Sequence, residues 1–380
     1  MKKHAVLICL MLFPLLGGCW DSKELQTMAY GTALGFDYAE GQYTVYAQIQ
    51  NFTNIAKTEN ASPGKNIPAW IGLGRGSSVL EAVADLSATS QLRMFWGHLN
   101  AIVVSESIIT EHKLPEVTDV LNRFREIRYN IQMFGTREPL GQIFAVKSLL
   151  NFSPLESLLS RPTKYYEQRP YVSPIRGLKF IADMNEPGYS AYLPSLAIDK
   201  RSWREDKQSK PMFRISGAYF FNAREYAGWM SEQSLIGVRW INKRIRMDII
   251  NIPDDTNPKA NLNLFGHRFN IQPIIREEDV AFSLSIDMKG SVSGLWSDIG
   301  QDELERMAEA YIAQEMRATY ERGISKKIDV YRLSQTLYRR NPAAFHRLMA
   351  NRPFPLTKES LASVKVNVHI IHSGKYKGEK

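Results

Sequence analysis

The chain reads as an α+β protein of two or three domains, with mixed or antiparallel sheets packed against helices and a cleaved lipoprotein signal in front. Three observations lead there. Stretches of period two and stretches of helical spacing alternate along the 380 residues without strict βαβ regularity. A charge-dense segment, Asp199 to Lys210, is the best internal boundary. A short apolar run at the start ends on a cysteine. The expected division is a signal over 1–18, an N-terminal α+β domain over 19–200, a middle domain over 211–278 and a C-terminal α+β domain over 279–374. At this length each part can bury a core.

The signal comes first. Met1, Lys2, Lys3 and His4 form a basic head, and Ala5 to Leu16 is apolar apart from Pro14. A dozen residues is too short for a spanning helix, which needs about 20. Leu16-Gly17-Gly18-Cys19 has the lipobox pattern, so Cys19 is expected to carry a thioether-linked diacylglycerol and an N-acyl group. Each buried methylene contributes about 0.8 kcal/mol, so two long chains anchor stably where one does not. No later apolar run approaches spanning length, and the body is expected outside the membrane. Trp20 and Asp21 then lie close to the bilayer and are expected to face the interface or a partner.

The mature part follows. Ala33 to Phe36 and Tyr43 to Ile49, around a Glu40-Gly41 turn, predict a hairpin whose second strand alternates. Thr53 to Lys65 is a polar loop. Ser78 and Glu81 have capping-box spacing, with Val79, Val83, Leu86 and Ser90 following at helical intervals. Ala101 to Val104 reads as a strand, Val117 to Arg125 as a helix, and Ile127 to Phe134 as a strand. From Asn151 to Tyr192, five prolines punctuate an extended excursion with short helices. Phe213 to Phe221 and Leu235 to Ile241 look like strands about a Tyr226-Ala227-Gly228 turn, and Asp254 to Lys259 is a loop. Phe282 to Met288 alternates. Asp302 to Arg322 is amphipathic, a second helical stretch follows Gly323, and Val364 to Ile370 closes the fold as a strand.

The composition excludes much. Cys9 leaves with the signal and Cys19 is taken by lipid, so no thiol remains for a disulfide, a nucleophile or a sulfur metal site. The formal charge is +9, and +7 once Lys2 and Lys3 are gone. Beside a bilayer, that favours anionic lipid or wall polymer as the neighbour. The small cluster Lys243, Arg244 and Arg246 has no interleaved aromatics, and no nucleic acid partner is expected. There is no G-x-S-x-G elbow and no H-E-x-x-H. His98, His112, His267 and His346 are isolated, and His369 and His372 fall on opposite faces of a strand, so neither a metal nor a cofactor is expected. Gly72-Leu73-Gly74-Arg75-Gly76 lacks the spacing of a phosphate loop and reads as a flexible turn into the capped helix. Glu303 and Glu305 read as members of exposed ion pairs among arginines.

Cys19-Trp20-Asp21-Ser22-Lys23-Glu24-Leu25 resembles the mature start of the Ger(x)C lipoproteins, the C subunits of GerA-type spore germinant receptors. The likeness continues in order through Gly35-Phe36-Asp37, Gly76-Ser77-Ser78 with Glu81-Ala82, and Trp96-Gly97-His98. It runs on through Arg123 with Glu126-Ile127-Arg128, Ala191-Tyr192-Leu193-Pro194, and Gly217-Ala218-Tyr219-Phe220 with Gly228-Trp229. Asn51-Phe52 stands where the family has a proline, and Tyr331-Arg332-Leu333-Ser334 where it has a glycine-rich turn. The resemblance implies three α+β domains and a non-enzymatic subunit on the outer face of the spore's inner membrane, beside integral membrane A-type and B-type subunits. The alternative is a substrate-binding lipoprotein of an importer, with two α/β lobes closing on a ligand. A wall-active hydrolase has no acid or nucleophile cluster to support it.

Overall fold

The computed structural model describes residues 28–50, 70–151, 154–162, 171–242, 247–254, 256–350 and 354–372. The lipobox, Trp20, Asp21, the loop from Thr53 to Lys65 and the cluster Lys243, Arg244 and Arg246 lie outside the described residues.

Met28–Ala39 (β1) and Gln42–Gln50 (β2) form the expected antiparallel hairpin, and Trp70–Gly76 (β3) adds to β2 as an edge strand. The chain then crosses over through the helix Val79–Ala88 (α1) and the short Arg93–Phe95 (β4) to Ala101–Ser105 (β5), parallel to β1. Two further helices, Glu106–Thr110 (α2) and Leu114–Arg123 (α3), carry it to Gln132–Thr136 (β6), parallel to β5. Leu140–Ala145 (α4) covers the opposite face. Inside the proline-rich stretch, Ile175–Arg176 (β7) pairs antiparallel with β6 and leads into Gly177–Asn185 (α5). Ser190–Asp199 (β8) then runs parallel to β6.

The charged segment 199–210 is a small hairpin, Arg204–Glu205 (β9) and Gln208–Ser209 (β10), placed between two paired strands of one sheet. Met212–Asn222 (β11) pairs with β8, and Glu225–Ser231 (β12) with β11. Strands from the stretch assigned to a middle domain thus complete the first sheet. Its order is β12-β11-β8-β6-β5-β1-β2-β3, with β4 and β7 beside β1 and β6. Four parallel strands form the centre and an antiparallel pair flanks each side. The central β5 is apolar and buried on both faces, as a parallel strand covered from two sides must be.

Leu235 to Ile241, expected as a strand, belongs to a 3₁₀ helix, Gln233–Ile241. Leu235, Gly237, Arg239 and Trp240 are buried, an alternation that reads as a strand in the sequence, but Gly237 N–H donates to Thr319 Oγ1 at 3.0 Å and Arg239 pairs with Glu315, contacts made from the 3₁₀ helix. The second sheet follows in the order Met247–Ile252 (β13), Ala260–Ile275 (β14), Val280–Leu295 (β15) and Leu361–His372 (β16). β13, β14 and β15 are antiparallel, and β16 is parallel to β15. Gln301–Ser325 (α6) packs across this sheet, followed by Leu333–Arg340 (α7) and Pro342–Leu348 (α8).

Among the described residues burial resolves into three clusters. One joins α1, α2, α3 and α5 to one face of the first sheet, a smaller one sits under α4 on the other face, and the largest fills the C-terminal part. β11 belongs to two of them. Tyr219 and Phe221 face the first cluster, while Ala218 and Phe220 face the C-terminal one. The architecture is α+β with mixed sheets packed against helices.

Candidate functional site

The glycines before the capped helix pack against it. Gly74 and Gly76 lie in β3, whose face rests on α1; a Cβ on Gly74 would come within 2.2 Å of the Ala82 carbonyl oxygen and 2.3 Å of the Leu86 nitrogen. The missing side chains let helix and edge strand touch backbone to backbone. The expected flexible turn is therefore a strand with a packing role. The cap is present with one shift: Ser78 Oγ accepts the Glu81 N–H at 3.2 Å, while Glu81 accepts from the Ser77 N–H at 2.7 Å.

Glu305 also differs from the expectation of an exposed ion pair. Its carboxylate accepts the Ile370 N–H at 2.7 Å, and Glu309 accepts the Val368 N–H at 3.0 Å. One helical turn matches two residues of strand, so the pair occupies N–H groups that the edge strand β16 leaves open. His369 Nδ1 lies 3.6 Å from the same Glu305. His267 Nε2 meets the Asn242 carbonyl oxygen at 2.6 Å, and burial pushes its pKa below the ordinary value. Among the described residues no group of His, Cys, Asp and Glu could hold a metal.

Arg239 is the buried charge that sequence reasoning missed. It is 3% exposed, forks onto Glu315 at 2.8 and 3.1 Å, and reaches Asp248 at 3.2 Å. Trp240 Nε1 donates to Glu315 at 2.6 Å. Burial pushes the Glu315 carboxyl above its usual range; Arg239 and Trp240 pull it back only in part. Burial also works against the Arg239 charge, but the two carboxylates more than offset it and hold the guanidinium above its ordinary value. The triad ties the 3₁₀ helix, β13 and α6 together. Only its place three residues after an apolar pair, within an otherwise apolar run, could have flagged it.

A cavity of about 960 Å³ lies where the first sheet meets the C-terminal part. Tyr192 and Phe220 of the sheet, Phe269 and Ile271 of β14, and Tyr331 form much of its wall. Lys179 with Asp183 and Arg339 with Glu186 bridge its edge, and Arg332 stacks over Tyr189. Asp329 is fully buried at its wall: Oδ2 accepts the Ser334 N–H at 2.8 Å, Oδ1 has no partner, and burial raises its pKa. No histidine or cysteine is among the described residues lining the cavity.

A second, open depression of about 510 Å³ lies at the end of the first sheet where β5 and β6 begin. Arg128, Arg161 and Arg176 line it with His98, Asn100 and Asn130, and no carboxylate is among its described lining residues. Among the described residues no helix is long and apolar enough to cross a membrane.

The fold resembles the crystal structure of the GerBC protein, at a TM-score of 0.54 and 15% identity over 89% of this chain and 96% of that one. The family model for the spore germination protein N-terminal domain matches residues 21–198, and that for the GerAC-like C-terminal domain matches residues 216–374. Spore germination protein KC of Bacillus subtilis (strain 168) is 22% identical over 98% of this chain and 97% of its own length. Spore germination protein YndF of the same organism is 20% identical over 98% and 96%. The chain belongs to the GerAC family of spore germination proteins, the C-type germinant receptor subunits.

Proposed function

We propose that the chain works as a lipid-anchored, non-enzymatic assembly subunit of its receptor, held by Cys19 on the extracytoplasmic face of the spore's inner membrane. The observation that carries this reading is the lipobox Leu16-Gly17-Gly18-Cys19 placed directly before a body that both family domains match in order. The partners are the integral membrane A-type and B-type subunits, and Trp20 and Asp21 meet them or the interface. Two further points support a scaffold. Conspicuous buried charges such as Arg239 and Glu315 are used up in internal pairs. The two sheets differ in size and strand direction, unlike the matched α/β lobes that an importer's binding protein would need.

The test is Cys19→Ala. The expected result is loss of membrane fractionation, loss of co-purification with the A-type and B-type subunits, and a defective nutrient response. A variant that stays with the membrane and germinates normally would remove the anchor from the mechanism. Substituting Trp20 and Asp21 together should weaken co-purification without releasing the chain.

A further inference from the structure

The direction of the strands decides which end of the body lies nearest the anchor. β1 starts at Met28 opposite Arg93 of β4 and runs parallel to β5, which runs parallel to β6. The segments that precede β5 and β6 therefore lie at the end where the chain enters the sheet. β7 joins the same end: Arg176 pairs with Gln132, Gly177 N–H donates to the Ile131 carbonyl at 2.8 Å, and Leu178 N–H to the Tyr129 carbonyl at 3.3 Å. Cys19 precedes Met28 by nine residues. At no more than about 3.6 Å per residue, an anchor at Cys19 holds this end within roughly 30 Å of the bilayer.

This end is cationic and partly greasy. Arg93, Arg125, Arg128 and Arg176 are exposed, and among the described residues none has a carboxylate within ion-pair distance. Tyr129 and Leu178, 60% and 62% exposed, stand beside Arg128 and Arg176, and Leu92 is 46% exposed next to Arg93. Guanidinium groups alternating with an aromatic and aliphatic side chains suit an anionic headgroup layer, where the charges meet phosphate and the apolar tips enter the interface. The opposite end, at the hairpin tip near Gln42, is roughly 36 Å away along the twelve-residue β1.

We propose that the basic end of the first sheet, centred on Arg128, Tyr129, Arg176 and Leu178, docks on anionic lipid headgroups and fixes the orientation of the body on the membrane. The proposal rests on the anchor at Cys19 for its geometry and can fail independently of it. The experiment uses the full lipidated chain in phosphatidylcholine–phosphatidylglycerol vesicles with a nitroxide in the headgroup layer. Tyr129→Cys and Gln42→Cys each supply a single free thiol for a fluorophore. The expected result is quenching at position 129 and little at position 42. Arg128→Glu with Arg176→Glu should abolish it while the chain stays attached, and the Lys–Lys pair should retain it. Equal quenching at both positions, or quenching at 129 that is as strong on pure phosphatidylcholine or indifferent to charge reversal, overturns the proposal and leaves this end to a protein partner. If mass spectrometry finds no lipid on Cys19, the anchor fails by itself. Sedimentation with the anionic vesicles then decides: charge reversal should weaken binding by at least about 30-fold, the effect of losing two arginines alone, and no change overturns the patch.

Discussion

Asp329 shows how much of a single side chain's role a sequence leaves unread. In the sequence the residues after it, Tyr331-Arg332-Leu333-Ser334, stand out only by departing from the family's glycine-rich turn; in the structure the Asp329 carboxylate caps the start of α7 through the Ser334 N–H. What a sequence cannot show is that Oδ1 is sealed in without a partner. Burial raises the pKa from the ordinary 3.8, so the folded state holds the proton more tightly than the unfolded one. The sign then follows from linkage. The contribution to stability is complete below pH 3.8 and is lost as pH rises through the folded value. Asp329→Asn keeps an acceptor for Ser334 and removes the buried charge. Its stability relative to the parent, read from denaturant midpoints, should rise between pH 4 and pH 7.5; a constant or falling difference would mean that the charge is held favourably. Arg239 was missed for a related reason, since its charge is met by Glu315, 76 residues away, and by Asp248, nine residues on in β13.

At the scale of elements, local signals read well and long-range ones did not. The capped helix, the first hairpin and the alternation of β15 are written in neighbouring residues, and all three are present. Leu235 to Ile241 carries apolar residues that a strand or a helix could use, and packing of Gly237 against Thr319, with an N–H to Oγ1 distance of 3.0 Å, selects the 3₁₀ form. The sixteen residues of β14 escaped because a register shift between Phe265 and Arg268 interrupts their alternation. β3 was taken for a turn because glycine usually marks one, whereas here it marks close approach. That reading has a sharp consequence. Gly74→Ala places a methyl group against helix backbone, which cannot rotate away, so α1 must lift from β2 and β3. The expected cost is about 1–3 kcal/mol, seen as a lower denaturant midpoint. Gly41→Ala, with φ +78 and open space around it, should cost less because only backbone strain opposes it. Equal losses at the two positions would remove the packing role.

At the scale of the whole molecule, the charged segment 199–210 and the matched family regions 21–198 and 216–374 both point to a division near residue 200, yet the first sheet crosses it. Sequence could show that the segment is solvated; it could not show that β8 and β11 on either side are partners. The consequence is cooperative. Tyr219, Phe220 and Phe221 of β11 are almost wholly buried, split between the first cluster and the C-terminal one. Burying an aromatic or large aliphatic side chain contributes about 1.5–3 kcal/mol, so these three represent roughly 5–9 kcal/mol. A domain's net stability is only about 5–15 kcal/mol. A chain ending at Asp199 would lose that contribution and expose the edge of β8 as well. It should therefore show no cooperative thermal transition. A chain ending at Glu232 keeps the first sheet but uncovers Ala218, Phe220 and Met230, and it also loses the Asn222 Nδ2 contact to the Lys327 carbonyl and the Ser190 contact to the Asp329 N–H. It should melt cooperatively at a lower temperature and bind a hydrophobic dye. The intact chain should give one calorimetric endotherm, because β11 sits in both cores and cannot leave one without disturbing the other. Two well-separated endotherms, or a stable fragment ending at Asp199, would show that the parts fold alone and that the crossing strands are a late addition to the first sheet.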